Sequence, residues 1–209
     1  MKGYFNDAFF KQNNINETRN VFDFNRLVSF LNLSSFNSDI KLDESYFDSN
    51  GNRNPYDYEK KGLRGGKEYE GPIGWTGYGL SVYGKYDNGD NTWLGINGNK
   101  GEWCVAYYGT RISNAKSIII NGLKKGLIQS CMHDEDLNHP GNKVGIGVYV
   151  TPKIYIAEMY NQSVEGYKCV FMCRVNPKSM RIPRLSPDYW VVNDDSNDIR
   201  PYRLLIKKE

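Results

Sequence analysis

The chain has 209 residues, of which 39% are hydrophobic and 24% charged, and this composition excludes a disordered tail and a fibrous repeat. Its net charge of +3 comes from 27 basic and 24 acidic residues without a long run of one sign, which argues against a general nucleic-acid binder. No stretch approaches the roughly 18 apolar residues of a membrane span, and the first residues lack the apolar core of a signal peptide. We therefore expect a cytoplasmic globular protein without a membrane partner.

The four cysteines are too few for a disulfide scaffold in a chain of this size. Cys169 and Cys173 lie four residues apart in a predicted strand, so they share one face of it and are expected to be buried thiols. Cys131, His133 and His139 cluster in a polar loop, but their spacing matches no recognised zinc site. The sequence therefore predicts neither a metal site nor a metal cofactor.

Residues 1–71 are polar, rich in Asn, Asp and Ser, and contain one helix-like segment. Apolar residues within 22–33 recur at near-helical spacing, which predicts an amphipathic helix packed on the main body. The segment 37–71 is charged and contains Asn-Gly, Asn-Pro and Gly-Gly turn signals, which indicate a long surface linker. We therefore assign 1–71 to an N-terminal extension and 72–209 to a separate domain.

Residues 72–209 contain strand-like and helix-like segments in mixed order. A turn signal at 87–91 separates two short strand candidates, and an apolar strand at 103–110 precedes a short helix that Ser113 or Asn114 can cap. Further along, strands are predicted around Val148, over 168–175, 189–194 and 202–208, with a helix at 154–162. This order predicts an α+β fold with mostly antiparallel strands and few short helices.

Several motifs in this region follow one another in a specific order. A buried strand ends in Tyr-Gly-Thr-Arg at 108–111, a short helix follows, Gly-x-Gly-Val-Tyr ends at Tyr149, and Tyr160 stands eleven residues beyond it. Over about 103–208 this order resembles the catalytic domain of the poly(ADP-ribose) polymerase-like ADP-ribosyltransferases. The resemblance implies an ADP-ribosyltransferase-like fold of two packed, mostly antiparallel sheets, with NAD as the substrate.

The resemblance also assigns roles to individual residues. Gly109 matches a glycine whose backbone pairs with the nicotinamide carboxamide, because only a residue without a side chain lets the ligand come so close. Thr110 follows it at the motif's hydroxyl position. Tyr149 and Tyr160 match two tyrosines that enclose the nicotinamide ring. Tyr108 replaces the family's histidine, and its phenol would serve as a substitute contact to the adenosine ribose.

The sequence departs from the family pattern at two further positions. The third catalytic position, a glutamate in members that make polymer, aligns with Pro201, or with Tyr202 if the preceding turn is one residue shorter. Neither residue supplies a carboxylate to activate an acceptor hydroxyl, and the acids of the turn at 194–198 are typical turn formers. A serine that helps to hold the carboxamide corresponds to Ala157. The resemblance therefore implies transfer of a single ADP-ribose rather than polymer synthesis.

Two functions of different classes follow from these residues. The first is a mono-ADP-ribosyltransferase or NAD glycohydrolase with Tyr108, Tyr149 and Tyr202 at the catalytic positions. The alternative is a catalytically inactive transferase fold that serves as a binding or structural component of a larger assembly. Residues 1–71 are expected to dock a protein acceptor or partner and to become ordered on assembly.

Overall fold

Short helices and antiparallel strands alternate along the chain in a computed structural model that describes residues 24–33, 41–126 and 129–209. The helices are Phe24–Leu33 (α1), Ala115–Asn121 (α2) and Ile154–Glu158 (α3), and the strands are Lys61–Arg64 (β1), Lys67–Glu70 (β2), Thr76–Gly79 (β3), Cys104–Thr110 (β4), Val148–Val150 (β5), Tyr167–Val175 (β6), Trp190–Val192 (β7) and Ile199–Lys208 (β8). The fold is α+β with few helices, as the sequence predicts. None of the helices in these ranges is long and apolar enough to cross a membrane.

A four-stranded antiparallel sheet in the order β3-β8-β6-β4 forms the centre of the molecule. Its strand β6 is buried on both faces: Cys169, Phe171 and Cys173 face the larger hydrophobic core, while Val170 and Met172 face a smaller one. Burial on both faces explains why this strand reads as a continuous apolar run. The two cysteines are buried free thiols on one face, as the sequence predicts.

Two smaller ladders flank this sheet. Strands β5 and β7 pair with each other, and a single antiparallel bridge between Tyr107 and Thr151 joins β5 to the free edge of β4. Strands β1 and β2 form a hairpin of their own. The β5–β7 ladder therefore continues the central sheet past β4 through only one bridge, and this junction positions the candidate site.

The amphipathic helix predicted from residues 22–33 is α1. Its residues Leu27, Phe30 and Leu31 are buried in the larger core. The Phe30 ring meets the edge of the Tyr167 ring with centroids 5.6 Å apart. The prediction that this helix packs on the main body is confirmed. The remainder of the expected extension up to residue 40 lies outside the described residues.

Residues 41–71 belong to the folded body rather than to a linker. Leu42, Tyr58 and Tyr69 are buried, and backbone bridges at Phe47 and Arg53 pair this segment with β3 and the residue after it. The turn signals in the sequence do form turns, but the short extended segments between them form backbone bridges to the free edge of β3. The boundary expected at residue 71 is therefore not a break in packing.

The second strand candidate near residue 93 is wrong. Residues Thr92–Leu94 form a 3-10 turn, and the Trp93 ring is buried beside the Trp103 ring, with centroids 5.9 Å apart. The preceding turn contains Asp87 and Asn88 at positive φ values of 51° and 55°, so the chain reverses there without forming a hairpin. Burial of the tryptophan outweighs the local strand preference.

The guanidinium of Arg200 on β8 fixes this turn segment. It is 2% exposed and lies 4.4, 4.7 and 4.3 Å from the ring centroids of Tyr86, Trp93 and Trp103. It also donates to both carboxylate oxygens of Asp87, at 2.6 and 2.8 Å, and this bonding lowers the pKa of the carboxyl group. One buried cation therefore attaches residues 86–103 to the central sheet.

Arg200→Ala should destabilise the protein strongly. The substitution removes three ring contacts and leaves a cavity, so we expect the free energy of unfolding to fall by about 3 kcal/mol in urea denaturation. Arg184→Ala is the matched control, because Arg184 is 57% exposed and its ion pair with Glu135 should contribute at most about 1 kcal/mol. Equally small losses in both variants would contradict the role of the aromatic enclosure.

Candidate functional site

The junction between β4 and β5 leaves an unpaired stretch of sheet edge. Tyr107 and Thr151 exchange both backbone hydrogen bonds, at 2.7 and 3.1 Å. Alternate residues of an antiparallel strand direct their backbone groups to the same edge, so the amide and carbonyl of Gly109 also face β5. Continuing the register would bring Tyr149 opposite Gly109, but no backbone hydrogen bond joins them in the described part of the chain. The amide and carbonyl of Gly109 therefore have no backbone partner on β5.

Helix α3 packs directly on Gly109. A Cβ atom at this position would lie 1.7 Å from the carbonyl oxygen of Ala157 and 2.7 Å from its carbonyl carbon. Both are backbone atoms, so no rotamer change could make room. The sequence needs glycine here because of this close approach, and Ala157 itself is buried in the smaller core.

Three tyrosines line an open cleft of about 660 Å³ at the β5–β7 ladder, which we call the tyrosine cleft: Tyr149, Tyr160 and Tyr189. Tyr149 on β5 is directly paired with Val191 on β7. Directly paired residues share a face, and Tyr189 lies two residues before Val191, so Tyr189 and Tyr149 are on the same face of this ladder. Tyr160 reaches the cleft from the chain just beyond α3. The structure therefore brings the predicted pair together and adds a third ring.

The hydroxyl groups of Tyr160 and Tyr189 are hydrogen-bonded at 2.8 Å. Their rings are nearly perpendicular, at 82°, with centroids 6.3 Å apart. This bond, followed by partial burial, raises the pKa of Tyr189 to about 12, while burial is the main cause that raises the pKa of Tyr149 to about 12. Both phenols are neutral at physiological pH, so these two tyrosines present aromatic faces and hydroxyl groups to the cleft.

The loop before β5 is held by side-chain clamps that explain its Gly-x-Gly sequence. Gly145 has a positive φ of 69°, and a Cβ at Gly147 would lie 2.4 Å from the carbonyl oxygen of Val192. The amide side chain of Gln129 both donates to and accepts from the backbone of Gly147. Arg181 donates to the carbonyl oxygens of residues 144 and 146. These contacts fix the approach to Tyr149.

Charged side chains of both signs and one histidine also line the tyrosine cleft: Asp134, Glu135, Lys143, Arg184 and His133. Asp136 holds the loop that carries several of these residues. Its buried carboxylate accepts hydrogen bonds from the amides of Asn138 and Ile182 and contacts His139. Burial raises the pKa of Asp136, but these hydrogen bonds outweigh it and the pKa is lowered. Across the described ranges, no group of three His, Cys, Asp or Glu side chains could hold a metal ion.

None of the three residues Tyr108, Gly109 and Thr110 lines the tyrosine cleft. Tyr108 points to the opposite face of β4 from Tyr107 and is half-buried against the larger core, which raises the pKa of its phenol. Thr110 is also buried, and its hydroxyl accepts from the Asn114 side chain at 3.1 Å. That bond replaces the expected helix cap, since Asn114 makes no capping hydrogen bond to α2.

Tyr202 and Pro201 also lie away from the tyrosine cleft. Pairing between β6 and β8 shifts at this point, so Tyr202 is the extra residue of a β-bulge, and its ring centroid lies 5.4 Å from the guanidinium groups of Arg174 and Arg203. Pro201 lines a separate cavity of about 510 Å³, as do Asp194 and Asp195 of the preceding turn.

Sequence reasoning missed Tyr189. The sequence predicts a strand over 189–194 but assigns no role to Tyr189, whereas the family resemblance assigns its third position to Pro201 or Tyr202 on β8. The pairing of β7 with β5, the strand that carries Tyr149, is what places Tyr189 in the tyrosine cleft. The sequence does contain one signal for Tyr189: it is a tyrosine at the start of a predicted strand that follows the Gly-x-Gly-x-Tyr strand along the chain.

No protein-family model matches this chain, and no curated protein shows detectable sequence similarity to it.

Gly109→Ala should disturb both the fold and the cleft. The added methyl group overlaps backbone atoms of α3, so we expect the free energy of unfolding to fall by about 2 kcal/mol or more in urea denaturation. Gly126→Ala is the control, because among the described residues a Cβ there meets only the flexible Gln129 side chain, at 3.4 Å. A stability of Gly109→Ala equal to that of the control would show that α3 does not approach β4 closely.

Proposed function

We propose that the chain has an ADP-ribosyltransferase-like fold and binds NAD with its nicotinamide ring in the tyrosine cleft. It then transfers a single ADP-ribose to an acceptor or hydrolyses NAD. The α+β architecture, the β5–β7 ladder joined to β4, and the order of the motifs along the chain support this proposal. NAD is the substrate, and the chemistry requires no metal.

The available backbone edge of Gly109 is the observation that carries the proposal. A primary carboxamide offers one acceptor oxygen and an NH₂ donor, which complement the amide and carbonyl of a single residue. Tyr149 would lie opposite Gly109 in the register of the bridge, and Tyr160 follows the helix that covers Gly109. A flat aromatic carboxamide held at its amide by Gly109 would therefore lie between aromatic faces.

The chemistry in such a site is substitution at the ribose carbon that carries nicotinamide. The bond from that carbon to the nicotinamide nitrogen breaks, nicotinamide leaves with the electron pair, and an oxygen of water or of an acceptor forms the new bond. Tyr202 lies away from the tyrosine cleft, and the third tyrosine that lines it is Tyr189. Its neutral phenol cannot act as a carboxylate base, which favours single transfer or hydrolysis over polymer synthesis.

One observation favours a second candidate function, a transferase fold without turnover. Tyr108 packs against the core on the face of β4 opposite Tyr107, where its phenol is not directed into the tyrosine cleft. Without a contact to the adenosine ribose, NAD would be held through fewer groups. The chain would then act as a binding or structural component of a larger assembly.

Nicotinamide release from NAD by the purified chain tests the enzymatic proposal. Tyr149→Ala removes one wall of the ring site and should lower the rate by about 10- to 100-fold, since stacking and correct placement of the ring are both lost. Tyr56→Ala, at a tyrosine that is 72% exposed outside the cleft, should leave the rate unchanged. Equal rates in Tyr149→Ala and the wild type would contradict the site.

Thermal melting with NAD separates the two candidate functions. NAD at 100 times its dissociation constant should add about 2.7 kcal/mol to the stability of a chain that binds it. A rise in melting temperature without nicotinamide release would support the second candidate function, as a transferase fold that binds NAD but does not turn it over. Absence of both release and a melting shift at millimolar NAD would overturn NAD binding altogether.

A further inference from the structure

The Tyr189 hydroxyl group is hydrogen-bonded to the hydroxyl group of Tyr160, a second tyrosine of the cleft. We propose that Tyr189 is a positioning residue whose hydroxyl holds the Tyr160 ring as a fixed wall of the nicotinamide site. The inference rests on the proposed function and deepens it, because it states what determines the width of that site. The juxtaposition that carries it is the 2.8 Å contact between the two hydroxyl groups.

Tyr160 has little other support. Its side chain is 59% exposed, and it lies two residues beyond the last residue of α3, where its amide donates to the carbonyl of Ala157. An exposed tyrosine at the end of a five-residue helix would sample several rotamers in water. A hydrogen bond to a fixed partner selects one of these rotamers.

Tyr189 provides a fixed partner. It immediately precedes β7, shares a face of the β5–β7 ladder with Tyr149, and its amide donates to the carbonyl of Ser186 at 3.0 Å. Lys153, just before α3, forms an ion pair with Asp188 at 2.7 Å. The two ends of the α3 segment are therefore connected to adjacent residues, 188 and 189, at the start of β7.

The pair should act on ligand affinity rather than on stability. Both rings lie at an open cleft, and one hydrogen bond between solvent-accessible phenols contributes little to folding. Its loss would instead let the Tyr160 ring leave the wall, so part of the ligand's binding free energy would be spent on ordering that ring. The perpendicular arrangement at 82° keeps the two rings from stacking on each other.

A double-mutant cycle with nicotinamide as the probe tests this inference. Tyr160→Phe and Tyr189→Phe each keep the ring and delete one hydroxyl, and each should weaken nicotinamide binding by about 3- to 10-fold, the effect of one hydrogen bond. The double variant should bind no more weakly than either single variant, because all three lack the same bond. Melting temperatures should stay unchanged, and Tyr56→Phe should bind nicotinamide like the wild type.

The outcomes separate this inference from the proposed function. Suppose that the wild-type chain binds nicotinamide. If Tyr189→Phe then binds it with the same affinity, or if the losses of the two single variants add in the double variant, the positioning role is overturned and the proposed site stays intact. If the variants lose affinity and also melt at lower temperatures, the positioning role is overturned too, because the hydrogen bond would then have a structural role. A wild-type chain that does not bind nicotinamide would overturn both.

Discussion

The packing of α3 onto β4 at Gly109 determines the shape of this end of the sheet. Because Ala157 occupies the space of a Cβ, the helix lies against the strand, and the chain beyond it brings Tyr160 toward β5. The bridge at Tyr107 and Thr151 is not continued to Gly109. This close approach between backbone segments places α3 on Gly109, and the chain that follows α3 carries the Tyr160 ring into the tyrosine cleft.

The rest of the molecule holds this junction rigid. Strand β6 is buried on both faces, so β4 pairs with a strand whose residues 169–175 are all buried. The side chains of Gln129 and Arg181 fix the loop before β5, and Arg200 attaches the segment before β4 to the central sheet. Three tyrosines and charged side chains of both signs line the cleft together.

Local patterns predicted the elements that local energetics control. The periodicity of α1, the apolar runs of β4 and β6, and the turn-flanked strand β5 were all readable, and the motif spacing brought Tyr149 and Tyr160 into one cleft. Pairing between distant segments was not readable. Residues 41–71 pair with the edge of β3, and Tyr189 enters the cleft only because β7 pairs with β5. The assignment of Tyr202 failed to anticipate this pairing, since strand order is not encoded locally.

The backbone amide of Gly109 offers the most direct test of the account. In a chain labelled with ¹⁵N and titrated with nicotinamide, the amide resonance of Gly109 should shift strongly, while that of Leu205 on β8 should not. Nicotinic acid, which lacks the NH₂ donor, should produce a much smaller shift at the same concentration. A Gly109 resonance that stays in place at saturating nicotinamide, or that responds equally to both compounds, would contradict a carboxamide site at this edge.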